Sequence, residues 1–561
     1  MKWIKKNITS LDERQLAIPG SMYEIDNYTS SDAKLPHIQN LETVADDLTD
    51  RLVSDNLVIV GDYDCDGIMS TGIVLKAFRF LAEEAQRISG AAATPVSIII
   101  PDREQDGYGF SKSHASGLHD STILLLDNGI VQFDAIIEAK KNGNHVIVVD
   151  HHEPGNRLPD ADIIVNPHAV AGGEFDNYCA AGLAYRLVRS MFAKSWVIES
   201  CNQQRIASLL DEFLFMAALA TVADVVPVLW ENRVMIREGM RQIPEHWKEL
   251  CDCLLDNEKD ALNEGDIAYK IAPALNAVGR MGELTPEFVE ELIMSDDISV
   301  VSARAQYLNG ERKRLTKTTM KAITIQNTNA KVLVVQDNRI PSGIAGIIAG
   351  SLADRYHKPV FVFSAEKDGM ITGYARAEKG LVHLKNQLDK ISQITPDLLV
   401  RYGGHEAAAG VTLPVQRLAE FTNLMNSITD YKPIQEKYYD FDLTDDDDWF
   451  EVYEYVSRYA PYGEGNPAPI LHFHIKTDEK SVKIMSKDHI RIQNGVYEAV
   501  GFYMAKRANL KVYEYDLFGS LQLNEYMGSR RIQLNIEDFV QPPAQEEAHL
   551  TPFAQALAQC V

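Results

Sequence analysis

The chain has 561 residues, of which 45% are apolar and 24% charged, and 55 Lys and Arg against 80 Asp and Glu leave a formal charge of −25. That length exceeds one hydrophobic core and predicts three or four domains of about 150 residues each, while the acidity excludes indiscriminate adhesion to nucleic acid or an anionic membrane but leaves room for a local basic groove. Six cysteines without a CxxC pair, no apolar h-region after MKWIKK and no apolar run that reads as a membrane span predict a reduced, cytoplasmic protein.

Residues 1–45 read as a polar N-terminal extension, with a helix predicted near Asn40 to Leu52 leading into the first strand. From Leu57 short apolar runs (LVIVG, SIIIPD, STILLLD, VIVVD and DIIVNP) alternate with helical stretches such as STGIVLKAFRFLAEEAQ from Ser70. Runs rich in Val, Ile and Leu without polar alternation predict a parallel sheet buried on both faces, so 46–295 is expected to be an open α/β domain. Within it DEFLFMAALATVADVVPV reads as a buried helix running into a loop that carries Asp224. The Lys- and Arg-rich stretch 296–330 is expected to be one connecting helix, and 331–430 a smaller α/β domain opening on KVLVVQ and closing on RYGGHEAAAGVTL. Beyond the acidic DLTDDDDWFE, six short alternating runs predict an antiparallel barrel of OB type over 431–541, and 542–561 reads as a tail. No internal repeat is found.

The carboxylates at strand ends carry the chemistry. VIVGDYDCDG places Asp62, Asp64 and Asp66 at alternate positions after one strand; LLLD ends in Asp127 and VIVVDHH in Asp150, His151 and His152. An aspartate at a strand end can simply cap the next helix. Three such ends in one sheet, where open α/β sheets bind their ligands, need a cation to relieve their mutual repulsion. Asp64, Asp66, Asp127, His151 and Asp224 form an oxygen-rich set with one imidazole and no thiolate, which suits two Mn²⁺ or Mg²⁺ ions, with Asp127 as the bridge.

In order and context GDYDCDG, LLLDNG, VVDHHEP and TVADVVP resemble the four motifs of the DHH phosphoesterase superfamily, and GGHEAAAG resembles the glycine-rich motif of its companion domain, DHHA1. APALNAVGRMG, PYGEGNPAPI and NEYMGSRRIQLNIEDF narrow the resemblance to its single-stranded-DNA-specific exonucleases, over about residues 40–540. The resemblance implies that Asp64 and Asp127 hold one metal and Asp66, Asp127, His151 and Asp224 the other. It places Asp62 beside them as a further or alternate ligand, Asp150 as the group orienting the histidine pair, and His152 on the scissile phosphate or its leaving group. It also implies that Arg103 and Arg280 hold the 5′ end of the DNA, that Gly403, Gly404 and His405 approach phosphate, and that Arg376 is a further phosphate contact. On the barrel, His472, His474, Lys476, Lys483, Arg491, Arg530 and Arg531, with Tyr497, Phe502 and Tyr503, are candidates for gripping a single strand.

The chain departs from the family at Ala274, at Asp106, at Ile340 to Gly343 and in GYARA, none of which touches a proposed ligand. The function implied is a processive 5′-to-3′ exonuclease that releases 5′-mononucleotides in DNA repair and recombination. It would act as a monomer off the membrane, alongside a single-strand-binding protein and a helicase. Two alternatives stand beside it: a DHH-type phosphodiesterase on short oligonucleotides or cyclic dinucleotides, and an inactive nucleic-acid-binding replication scaffold.

Overall fold

The structure, a computed structural model, describes residues 2–542 apart from 9, 31–32, 103–108, 170–174, 256–257, 260, 326, 432–435, 486–487, 496, 511 and 527–528. Arg103, Asp106 and the tail from 543 onward therefore lie outside the described residues. Backbone contacts divide the chain into two units, one of residues 1–19, 434–462 and 466–561, the other of 20–433 with 463–465. The expected N-terminal extension over 1–45 is thus shared between them. Strand β1 (Lys2–Lys5) pairs in parallel with Glu436–Tyr439, and from helix α1 (Leu11–Leu16) the buried Arg14 donates to Asp440 at 3.0 Å. The rest joins the other unit through Tyr28 and helix α2 (Leu41–Asp50).

That unit opens with β2 (Asn56–Val60), α3 (Cys65–Ser89), β3 (Val96–Ile99), α4 (Lys112–Ser116), β4 (Ser121–Leu126), α5 (Phe133–Lys141), β5 (His145–Val149) and β6 (Ile163–Val165). Its five strands run parallel in the order β3-β2-β4-β5-β6. Leu57, Ile59, Leu124, Leu126, Ile147 and Val149 face one core, and Val58, Val60, Ile123, Leu125, Val146 and Val148 the other. Both faces are buried, which is why the runs show no polar alternation.

The larger core is completed by α6 (Ala180–Phe192), α7 (Ser195–Ser200), α8 (Gln203–Ala223), α9 (Trp230–Gly239) and α10 (Glu245–Leu255). Helix α8 is long and apolar enough to cross a bilayer by length and composition, but 67% of its apolar window is buried inside the protein, in line with the buried helix read from the sequence. Next come α11 (Glu264–Asp266), a π turn at Ile267–Ile271, α12 (Ala272–Arg280), α13 (Pro286–Met294) and the long α14 (Ser299–Ala322).

The smaller α/β domain follows in the same unit: β7 (Leu333–Gln336), α15 (Ser342–Tyr356), β8 (Val360–Phe363), β9 (Met370–Arg376), α16 (Leu384–Ile394), β10 (Arg401–Gly404), β11 (Ala408–Pro414) and α17 (Leu418–Ile428). Its mixed sheet runs β10-β11-β9-β8-β7.

The second unit holds β12 (Glu436–Tyr439), β13 (Phe441–Leu443), α18 (Trp449–Ser457), β14 (Leu471–Lys476), β15 (Val482–Met485), β16 (His489–Asn494), β17 (Tyr497–Gly501), β18 (Glu514–Tyr526) and β19 (Ser529–Val540). Seven of these strands form one mostly antiparallel sheet, β13-β14-β18-β19-β17-β16-β15, over a core that includes Leu471, Phe473, Tyr515, Leu517 and Leu534. The long β18–β19 hairpin changes register between Phe518 and Gly519. A Cβ on Gly519 would stand 2.0 Å from the Asn535 carbonyl oxygen, so only glycine fits there.

Candidate metal centre and substrate surface

Three strand ends and one helix end meet at the carboxyl edge of the parallel sheet. Beyond β2, Asp64 caps α3, accepting from the Asp66 and Gly67 amides at 3.0 and 3.2 Å. Asp62 is buried just before it, and Gly67 must be glycine because a Cβ would stand 2.5 Å from the Asp62 carbonyl oxygen. Asp127 follows β4 with φ +62°, a left-handed conformation that aspartate tolerates better than bulkier side chains. Asp224 arrives as the residue ending α8. His151 Nε2 lies 3.2 Å from Asp127 Oδ1 and 3.7 Å from both Asp66 Oδ2 and Asp224 Oδ2.

Ligand atoms gather in two principal groups, each with its atoms within 4.8 Å of one another: Asp62, Asp64 and Asp127; and Asp66, His151 and Asp224. Asp127 also groups with His151 and His152, so it stands between the two. The five residues expected as ligands are brought together, and Asp62 lies in the group with Asp64 and Asp127. Asp150 lies against His152 rather than His151: its Oδ1 accepts from the His152 amide at 3.1 Å and pairs with His152 Nδ1 at 2.8 Å.

Burial, and then the neighbouring carboxylates, raise Asp127 and Asp224 well above the usual carboxylate range, and Asp66 is raised to about 6 by burial and Asp64. Such a cluster asks for positive charge. Hard oxygen donors with one imidazole and no thiolate fit divalent Mn²⁺ or Mg²⁺. Burial and then His152 push His151 down to about 3, so it is a neutral imidazole with a lone pair for ligation. Burial works against the charge on His152 as well, but Asp150 overrides it and holds the ring up at about 9. Burial likewise pushes Asp150 upward, but His152 outweighs it and keeps the carboxyl at about 2.

The supporting residues are largely ones the sequence reading missed. Asp66 takes the amides of Ala180 and Ala181, at 2.7 and 2.8 Å, so the N-terminus of α6 holds it in place. Cys179 caps that helix, receiving the Gly182 amide at 3.3 Å. The buried Asn128 donates to the carbonyls of Val60, Gly61 and Leu126, locking the ends of β2 and β4 together. Asn166 donates to the His152 carbonyl at 2.9 Å and accepts the His168 amide at 2.9 Å. Asn276 accepts the Cys65 amide at 2.7 Å. Asn128, directly after Asp127, carried a signal, whereas Asn166 and Asn276 stand 14 and 211 positions from the residues they hold.

The expected substrate contacts fare unequally. Gly403 and Gly404 lie on β10, and among the described residues nothing stands within 4 Å of a Cβ placed on Gly403, which leaves an open cradle. His405 turns from that hairpin, and partial burial, then the His152 ring, lower it below the usual imidazole range. Arg280 ends α12 and donates to the Gly343 carbonyl at 3.4 Å; Arg376 lies on β9 with its guanidinium 3.5 Å from where a Gly346 Cβ would stand.

On the C-terminal sheet, His472 and His474 are held by Asp442, Asp516 and Glu514, which pair with them across strands, so their face is electrostatically occupied. Lys476 lies 3.7 Å from Glu514. Tyr497 belongs to the core, 4.8 Å from the Trp449 ring. Lys483, Arg530 and Arg531 are exposed. Arg491, paired with Glu498 at 2.9 Å, and Arg531 line, with Phe502, Asn524 and Gln533, a recess of about 510 Å³. Phe502 and Tyr503 are 52% and 80% exposed, as stacking side chains must be.

Three family models match in chain order: the DHH family N-terminal domain over 56–220, the DHHA1 domain over 329–430 and the RecJ OB domain over 439–538. The chain belongs to the DHH phosphoesterases that carry a DHHA1 companion domain. Within them it is of the RecJ type. The single-stranded-DNA-specific exonuclease RecJ of Haemophilus influenzae is 29% identical over 521 residues, which cover 87% of this chain and 88% of that protein. A crystal structure of RecJ in complex with Mn²⁺ from Thermus thermophilus shares the fold, with TM-score 0.74 and 24% identity over 91% of this chain and 73% of that one. A structure of exonuclease RecJ bound to manganese has TM-score 0.55 and 26% identity, covering 70% of this chain and 94% of that one.

Proposed function

We propose that this protein hydrolyses single-stranded DNA from its 5′ end to 5′-mononucleotides, using a pair of Mn²⁺ or Mg²⁺ ions. The observation that carries this reading is the two donor groups meeting at Asp127, in a chain whose relatives are named single-stranded-DNA-specific exonucleases. Asp62, Asp64 and Asp127 would hold one ion, and Asp66, His151 and Asp224 the other with Asp127 in reach. Bound there, the ions supply a hydroxide nucleophile at neutral pH and neutralise charge on the phosphate.

The protein's own groups do the rest. Asp150 keeps His152 protonated through Nδ1, which leaves Nε2, on the far side of the ring, to donate to a phosphate oxygen or to the departing 3′-oxygen. The open backbone at Gly403 and the His405 ring offer a second hold on the strand. Arg280 and Arg376 add guanidinium donors suited to phosphate, and the Arg491–Arg531 recess with Phe502 and Tyr503 offers base stacking and charge. In the cytoplasm a helicase and a single-strand-binding protein would supply and present the strand.

The test incubates the protein and Mn²⁺ with end-labelled single-stranded DNA, duplex DNA, RNA and a dinucleotide, with Asp127→Ala as control. Mononucleotides released from the 5′ end of single strands alone support the proposal. Cleavage of the dinucleotide alone would reassign the protein to short substrates, and binding without turnover would make it a scaffold.

A further inference from the structure

Helix α12 touches two places that lie far apart in the chain. On one side Asn276 Oδ1 accepts the backbone N–H of Cys65, the amide between Asp64 and Asp66. One turn later Gly279 lies so close to the same loop that a Cβ would stand 2.0 Å from the Tyr63 carbonyl oxygen. At its end the Arg280 carbonyl faces Gly343, where a Cβ would stand 1.9 Å away, and Arg280 Nη1 donates back to the Gly343 carbonyl at 3.4 Å. Gly343 belongs to the first turn of α15 in the companion domain. The helix is packed without slack at both contacts, and close-packed interiors transmit displacement rather than absorb it.

We propose that Asn276 is a positioning residue for the metal loop, and that α12 carries the placement of the companion domain into the spacing of Asp62, Asp64 and Asp66. Metal ligands tolerate errors of only about 0.2 Å, so a shift of that size at the loop changes cation affinity. A strand held by the companion domain and the cations held by the loop then favour each other's binding by the same factor, as linkage requires. The inference rests on the metal-centre reading above.

The experiment titrates Mn²⁺ calorimetrically into the full-length protein without substrate, and follows amide exchange across residues 62–67. Asn276→Ala is expected to weaken Mn²⁺ binding about 10–100-fold, as loss of a group behind metal ligands does. It should also speed exchange at Cys65 and lower kcat while KM for an oligonucleotide holds. Asn276→Asp keeps an acceptor for the Cys65 amide and should bind Mn²⁺ within a few-fold of wild type. Gly343→Ala, in the other domain, should weaken Mn²⁺ binding several-fold. If Gly343→Ala does not fold, adding an oligonucleotide to metal-free wild type reads the same link, and slower exchange across 62–67 supports it.

Wild-type Mn²⁺ affinity in Asn276→Ala with only a lower Tm would make Asn276 merely structural and overturn the proposal. Unchanged affinity in a folded Gly343→Ala, or unchanged exchange on adding the oligonucleotide, overturns the transmission. Wild type that binds no Mn²⁺ would instead defeat the metal-centre reading itself.

Discussion

Replacing Asp150 with asparagine isolates the contribution of one carboxylate to the state of His152. The pair is joined at 2.8 Å, Asp150 is 1% exposed, and the two groups sit at about 2 and about 9 against ordinary values of 3.8 and 6.5. Those displacements, about 2 and 2.5 pH units, correspond to ~3 kcal/mol of mutual stabilisation at 1.36 kcal/mol per unit. A third of the His152 side chain meets water, which reduces this to ~2 kcal/mol. The sign follows from linkage. His152 titrates higher folded than unfolded, so its contribution is complete below pH 6.5 and disappears as the pH rises through 9. In Asp150→Asn the principal raising partner is gone while burial, Asp224 and Asp62 still act, so the imidazole should titrate well below 9. At pH 8 the protonated donor then falls from about nine tenths, by about tenfold for each further unit once the value drops below 8. The assay is NMR of labelled histidines in the metal-free protein, with His152→Gln to assign the resonance, beside melts at pH 6 and 9. The variant should lose ~2 kcal/mol of stability at pH 6 and much less at pH 9. A His152 that still titrates near 9 in Asp150→Asn would refute the reasoning.

Four further outcomes are expected. Asp127→Ala should sharply weaken Mn²⁺ binding by calorimetry, because that side chain belongs to one donor group and stands 3.2 Å from His151 of the other. Gly67→Ala forces a Cβ to 2.5 Å from the Asp62 carbonyl oxygen, and should lower stability by about 1–3 kcal/mol in denaturant melts and nuclease activity more than tenfold. Arg186→Met leaves Glu231, fully buried and bonded to Arg186 at 2.5 Å, without its cation; a loss of about 3–5 kcal/mol should appear in the same melts. Tyr503→Ala should weaken binding of a long single strand by about 1–3 kcal/mol, read by fluorescence anisotropy, without changing hydrolysis of a dinucleotide.

The parallel sheet was legible because its strands are buried on both faces, and four of its five apolar runs are followed within two residues by an aspartate. The ligand set was legible for the same reason: Asp62, Asp66 and Asp127 have no apolar explanation where they stand. What holds those ligands was not. The amides of Ala180 and Ala181 carry no side-chain signature, and Asn276 reaches Cys65 only because α12 folds back across the sheet edge. Cross-strand partners were equally hidden. His472 and His474 read as cations for a nucleic acid, but Asp442, Asp516 and Glu514 arrive beside them from strands distant in sequence. Tyr497 alternates like a surface residue and is claimed by the Trp449 core. KWIK has too few residues to advertise a strand, and becomes one through a partner more than four hundred positions later.

That last pairing has a consequence for biosynthesis. Trp3 is synthesised before the strand that pairs with it, Glu436–Tyr439, and before the Phe518 ring on which it stacks at 4.3 Å. Residues 2–5 wait for that strand until more than four hundred further residues have been made, whereas the parallel-sheet unit can assemble as it is extruded. A stop just short of β12 should therefore yield a protein with a formed catalytic sheet and a loose, protease-sensitive segment over residues 2–16.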